Sequence, residues 1–172
     1  MKKIVFFLIL VSSSVFSQQK DVFSIARNGL VSDLEDLIKT NPEVLNATNQ
    51  YGFSPLILAC YKSNDAIATY LVNKKVNLDY KCQEGTALMA ATVKGNAKLV
   101  ELLLTNGANQ NLTNLDGITA LMYAAQFKNE TIVKMLLKFN ADKKSIDVNR
   151  KSAFEYAVFT NNEIIINLLK NK

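Results

Sequence analysis

One spacing constrains this chain more than any other feature of it. Apolar anchors recur at Leu56, Leu88, Leu121 and Phe154, at intervals of 32, 33 and 33 residues. Alanines three positions on, Ala59, Ala91, Ala124 and Ala157, keep the same intervals. Aliphatic pairs follow at Leu71-Val72, Leu103-Leu104, Leu136-Leu137 and Leu168-Leu169. A register held this way marks a tandem array, in which each unit is too small to bury its own apolar face and borrows one from its neighbours.

The local chemistry predicts what a unit becomes. Ser54, Thr86, Thr119 and Ser152 stand just before each apolar run, where a hydroxyl can accept from the unpaired N–H groups of a helix's first turn. The next residue is Pro55, whose missing N–H is harmless there, or Ala87, Ala120 or Ala153. Glu155, three residues after Ser152, completes a capping box. The first helix should stop near Ser63, Gly95, Lys128 and Asn161. A second helix follows, with Leu99, Val100, Leu103 and Leu104 at helical spacing in the third unit. The connection "NGANQNLTNLDG" has no helical period and reads as an extended turn or hairpin.

"DGITALMYAA" and "LLLTNGANQN" carry a resemblance to the ankyrin-repeat family. They are similar to its Asp-x-x-Gly-x-Thr-Pro-Leu-His-x-Ala-Ala opening, with Asn114 in the aspartate's place, and to its Leu-Leu-x-x-Gly-Ala ending. The resemblance implies an all-α repeat solenoid of about five helix-turn-helix units joined by hairpin-like loops, covering approximately 21–48, 49–81, 82–113, 114–146 and 147–172. The end units would cap the stack. Asn161, Asn162, Glu163, Asn167, Lys170, Asn171 and Lys172 offer a polar face at one end. Three departures stand out. The second unit has Lys75-Val76 for Gly-Ala, the third is one residue short between Gly85 and Thr86, and the fifth has Arg150 where the hairpin glycine belongs, which puts its turn geometry in question.

The opening "MKKIVFFLILVSSSVFS" reads as a signal peptide, residues 1–17, with a basic start, an apolar run from Ile4 to Val11, and cleavage before Gln18. The run is short for a membrane span, which takes about 20 apolar residues. The remainder, 18–172, is then a single domain that is secreted or periplasmic and not stably inserted in a membrane. Without Lys2 and Lys3, 18 basic residues face 15 acidic ones, too even a balance to suggest nucleic acid.

Catalytic chemistry finds few candidates. The chain has no histidine, which removes imidazole-based nucleophile activation and imidazole zinc sites. Its six glycines fall at repeat turns and build no phosphate cradle. Asp33, Glu35 and Asp36 read as a solvated helix face, and Met89 and Met122 read as packing between repeats in place of the family's histidine. No catalytic residue, cofactor or metal site is expected. Cys60 is expected inside a helix pair and Cys82 exposed on a hairpin, too far apart to pair. Asn46, Asn111 and Asn129 head formal glycosylation sequons, read as chance matches in an asparagine-rich chain.

A binding surface remains. Ankyrin proteins usually engage partners with hairpin tips and the exposed side of the first helices. Carried onto this sequence, those positions include Tyr51, Phe53, Tyr61, Lys62, Val93, Lys94, Leu115, Asp116, Ile118, Phe127 and Phe159. Aromatic anchors rimmed by lysine suit a protein interface. The leading expectation is a non-catalytic adaptor, monomeric until another protein binds it. A periplasmic accessory role in haem supply or protection of a peroxide-destroying enzyme, and an immunity or antitoxin-like role, are the alternatives.

Overall fold

The computed structural model describes residues 21–170. The leader-like segment 1–17, its cleavage point, and Asn171 and Lys172 lie outside the described residues. Among the described residues ten α-helices run in order: α1 Val22–Asn28, α2 Val31–Thr40, α3 Pro55–Lys62, α4 Asp65–Asn73, α5 Ala87–Val93, α6 Ala97–Thr105, α7 Ala120–Gln126, α8 Glu130–Lys138, α9 Ala153–Phe159 and α10 Glu163–Leu169. A 3-10 turn spans Pro42–Asn46. Odd-numbered helices stack on one another in one row, and even-numbered helices in a second. The result is an α repeat solenoid of helix pairs. Among the described residues the hairpin connections form only two isolated bridges, Cys82 with Gly85 and Thr113 with Thr119.

The repeated anchors fill the space between the rows. Leu56, Leu88 and Leu121 are buried, and Ala59, Ala91, Ala124 and Ala157 are closed off completely. Alanine at these positions lets consecutive inner helices approach closely, and each buried leucine contributes about 2 kcal/mol. Phe154, in the same register, is half-buried and packs against the core. Met89 and Met122 are buried too, and the Met122 thioether lies 3.5 Å from the Thr119 N–H.

Both helix rows are capped by side chains. The hydroxyls of Ser54, Thr86 and Thr119 accept from the N–H groups of Ile57, Met89 and Met122 at 3.3, 3.4 and 3.3 Å. Ser152 is held by Glu155, whose carboxylate accepts from its N–H at 2.8 Å and from its hydroxyl. Asp21 caps α1, accepting from Phe23 and Ser24 at 2.8 Å. The second helices of the last four units use asparagine: Asn64, Asn96, Asn129 and Asn162 accept from the N–H three residues on, whereas α2 starts at Leu30, whose N–H donates to Asp33 Oδ2 at 3.1 Å. Three of these amides also reach the preceding unit, donating to Gly29 O, Asp65 Oδ1 and Glu130 Oε1. The cap is thus also a tie between repeats. Just before each sits a left-handed residue, Ser63, Gly95, Lys128 or Asn161, with φ between 52 and 68°.

A second ladder joins the loops. The side chains of Asn46, Asp79 and Asn111 accept from the backbone N–H of Asn77, Asn109 and Asp142, one unit on, at 3.1, 2.8 and 2.8 Å. All three sequon asparagines therefore have structural employment: Asn46 and Asn111 in this ladder, Asn129 at the start of α8.

Candidate interaction groove

The hairpins that deliver α3, α7 and α9 share one device. In the second unit the Asn49 side chain accepts from the N–H groups of Tyr51 and Phe53 at 2.9 and 3.0 Å. In the fourth, Asn114 does the same for Asp116 and Ile118 at 3.0 and 2.9 Å. In the fifth, Asp147 holds Asn149 and Lys151 at 2.9 and 2.8 Å. The short polar side chain replaces the strand partner that a tight hairpin lacks. Arg150 keeps the fifth turn despite its side chain. It adopts the left-handed φ of 62° that Gly52 and Gly117 take at 78 and 77°, and its N–H still donates to Asp147 O at 2.9 Å.

The third unit is different. Cys82 occupies the Asx position, and its Sγ donates to Gly85 O at 3.3 Å, while Cys82 and Gly85 exchange backbone bonds at 3.1 Å. The sequence led to an exposed Cys82; it is in fact 8% exposed and buried, because the shortened loop folds the thiol inward onto its own turn. Both cysteines are free. Complete burial pushes the Cys60 thiol far above its usual range, with the charge of Asp65 adding to the effect.

The missing residue has a definite place. It is the position held by Phe53 in the second hairpin, Ile118 in the fourth and Lys151 in the fifth. Just behind it, α5 presents Ala90 where α3 has Leu58, α7 has Tyr123 and α9 has Tyr156. Two side chains are therefore small or absent at one spot. An apolar groove of about 480 Å3 opens there between α3, α5 and α7. Its floor includes Ile57, Leu58, Met89 and Ala90, and Glu84 and Gly85 close its hairpin end. Gly85 has φ 115°, and a Cβ there would overlap Met89 Sδ, so the turn can lie flat against the helix only as glycine.

The tyrosines beside the groove are fixed by the hairpins. Asn114 Nδ2 donates to the Tyr123 hydroxyl at 3.2 Å, and the Tyr156 hydroxyl donates to Asp147 Oδ2 at 2.7 Å. Burial raises the Tyr123 hydroxyl's pKa, with the charges of Glu84 and Asp116 adding to it. Burial, then the Asp147 hydrogen bond and charge, push Tyr156 up to about 12. Burial works against ionisation of Asp147, but the Lys151 N–H, the Tyr156 hydroxyl and the Asn149 N–H outweigh it and hold that carboxyl below its ordinary value. Tyr123 stacks on Phe127, with ring centroids 6.3 Å apart and planes 18° from parallel. Together they form the α7 wall.

Of the residues singled out from sequence, Phe53, Tyr61, Lys62, Val93 and Phe127 converge on this groove. Lys94 stands at its mouth, Nζ 5.1 Å from the centre of the Tyr61 ring. Tyr51 and Leu115 line a shallower depression across the hairpin tips, to which Phe53 also contributes. Asp116 is exposed beside it, and its carbonyl accepts from Val148 N at 2.9 Å. Ile118 is half-buried and packs against the core. Phe159, 83% exposed, lies outside the groove with Lys151 Nζ 5.8 Å from its ring. Leu58, Ala90 and Tyr123 were not anticipated. The only signal for them was that Ala90 is small where its repeat equivalents are large.

Comparison with known proteins agrees with the repeat fold. Residues 22–114 and 94–172 match the family model described as ankyrin repeats in three copies. The chain is also similar to the ankyrin repeat and SAM domain-containing protein 6 of Mus musculus and of Rattus norvegicus, each 30% identical over 104 residues. That match covers 59% of this chain and 12% of each relative's length.

Proposed function

Because the chain belongs to the ankyrin-repeat family, whose repeats generally mediate protein–protein interaction, we propose that it is a non-catalytic adaptor that acts outside the cytoplasm and binds a partner protein in the groove across α3, α5 and α7. The groove itself carries this reading. It is apolar, concave and walled by Phe53, Tyr61, Tyr123 and Phe127. Rigid aromatics of this kind bury large areas at low entropic cost. Tyr61 and Phe127 are exposed and can be changed without opening the core, whereas Phe53 packs partly against it. Action outside the cytoplasm rests on the leader-like first 17 residues. The absence of histidine and the scaffold character of the family support a non-catalytic role.

The test is capture from the native extracytoplasmic fraction by wild type and by a Tyr61→Ser, Phe127→Ser double variant. Partner recovery should fall about tenfold, equivalent to ~1.4 kcal/mol, with the helical circular-dichroism signal unchanged. Undiminished recovery would remove the groove from the assignment.

A further inference from the structure

The mouth of the groove gathers positive charge around one ring. Lys62 Nζ lies 5.9 Å and Lys94 Nζ 5.1 Å from the centre of Tyr61. The two lysines hold equivalent places in successive repeats, at the ends of α3 and α5. Attraction to a helix's C-terminal end accounts for a lysine there. It does not account for both ammonium groups lying within 5.9 Å of the centre of one exposed ring. The ring quadrupole offsets part of their mutual repulsion, and neither lysine forms an ion pair among the described residues. A carboxylate brought to this point would meet two cations at once. At the opposite, hairpin end, Glu84 supplies the groove's acidic lining. Between the two poles the lining is apolar, and Ala90 leaves the room that a tyrosine occupies in the next two repeats.

We infer that the groove receives an extended segment of a partner protein in which a bulky apolar side chain seats over Ala90 and a neighbouring aspartate or glutamate pairs with Lys62 and Lys94. This rests on the reading of the groove as a docking site and adds the partner's chemistry and direction. The polarity allows one orientation, with the acidic side chain toward the ends of α3 and α5 and away from Glu84. The chain's own first 20 residues do not meet this description: they are apolar but carry Lys2, Lys3 and Lys20 and no acidic residue. The volume of about 480 Å3 falls within the range of roughly 300–1,000 Å3 common for ligand pockets, enough for an anchor side chain and its neighbour but not for a folded domain.

Selection from a random peptide display library against the purified chain tests this directly. Wild type should enrich sequences that place a large apolar residue within a few positions of Asp or Glu. A synthetic peptide of the enriched sequence should bind a Lys62→Gln, Lys94→Gln variant about tenfold more weakly. It should also lose affinity as salt rises from roughly 50 to 200 mM, because exposed charges are screened over about a Debye length. Ala90→Tyr, which copies the side chain already present in α7 and α9, should abolish binding. Peptides enriched without acidic residues, sensitive to Ala90→Tyr but not to the lysine changes, would overturn the charge assignment and leave the docking groove standing. Peptides indifferent to Ala90→Tyr would overturn the groove itself. Self-association of wild type that disappears in Ala90→Tyr would make a second copy of this chain the occupant, and the inference would fall.

Discussion

The third and fourth hairpins occupy equivalent places one repeat apart, yet one is a complete turn and the other a shortened one. In the fourth, buried Asn114 accepts from two backbone N–H groups and donates to Tyr123. In the third, Cys82 closes a loop lacking the residue that would answer to Ile118, and Sγ makes a single weak bond to Gly85 O. The complete hairpin stabilises; the shortened one leaves space. The difference teaches that a repeat array can build a site by omission: where every unit follows the pattern the concave face is filled by Tyr123 and Tyr156, and where one unit falls short a groove appears.

The largest effect should come from breaking the complete hairpin. Asn114→Ala leaves two part-buried N–H groups and the Tyr123 hydroxyl without their partner, so it should lower stability by about 2–3 kcal/mol. Cys82→Ala should lower it by only about 1 kcal/mol, and chemical denaturation of both variants measures the contrast. Equal losses would mean that the thiol is as important to its turn as the amide is to its own.

A smaller effect, of opposite sign, should follow from repairing the shortened hairpin. Cys82→Asn together with one isoleucine inserted between Gly85 and Thr86 restores the spacing of the fourth unit. Stability should rise by about 1 kcal/mol, and binding at the groove should be lost because the new side chain enters it. Retained binding would show that the groove does not owe its shape to the missing residue.

The smallest effect is local and depends on pH. Asp147 does in the fifth hairpin what Asn114 does in the fourth, but it can titrate. Its folded pKa lies below the unfolded value of about 3.9, so its contribution is fully present above that value and is lost as pH falls through the folded one. The protection of the Asn149 and Lys151 amides against hydrogen exchange, relative to the intrinsic rate at each pH, should fall below about pH 4, while that of the Asp116 and Ile118 amides, held by an amide side chain, should not change. Parallel loss of protection in both hairpins would point to general acid loosening of the stack.

Much of this architecture was legible in the residues. The intervals between Leu56, Leu88 and Leu121 are a direct consequence of stacking like helices, and Ser54, Thr86, Thr119 and Ser152 show where those helices begin because an N-cap acts within a few residues of itself. The asparagine caps of the second helices were equally local and went unread: each follows the end of the first helix so closely that it looks like part of the turn. Other features depended on distant neighbours. Cys82 gave no sign that a shorter loop would fold it inward, and Arg150 gave none that its hairpin would hold a left-handed arginine.

Sequence alone determined the repeat, its helix pairs and its family, because each depends on interactions that span one unit and recur in the next. It also pointed to Tyr61, Lys62, Val93 and Phe127 as surface residues, though not to their meeting. Only the tertiary structure decided that they surround Ala90, that Lys62 and Lys94 share one ring, and that Phe159 stands apart. The physical reason is that a groove is a property of space between helices: an absent side chain in one repeat matters only once its neighbours have been stacked on either side.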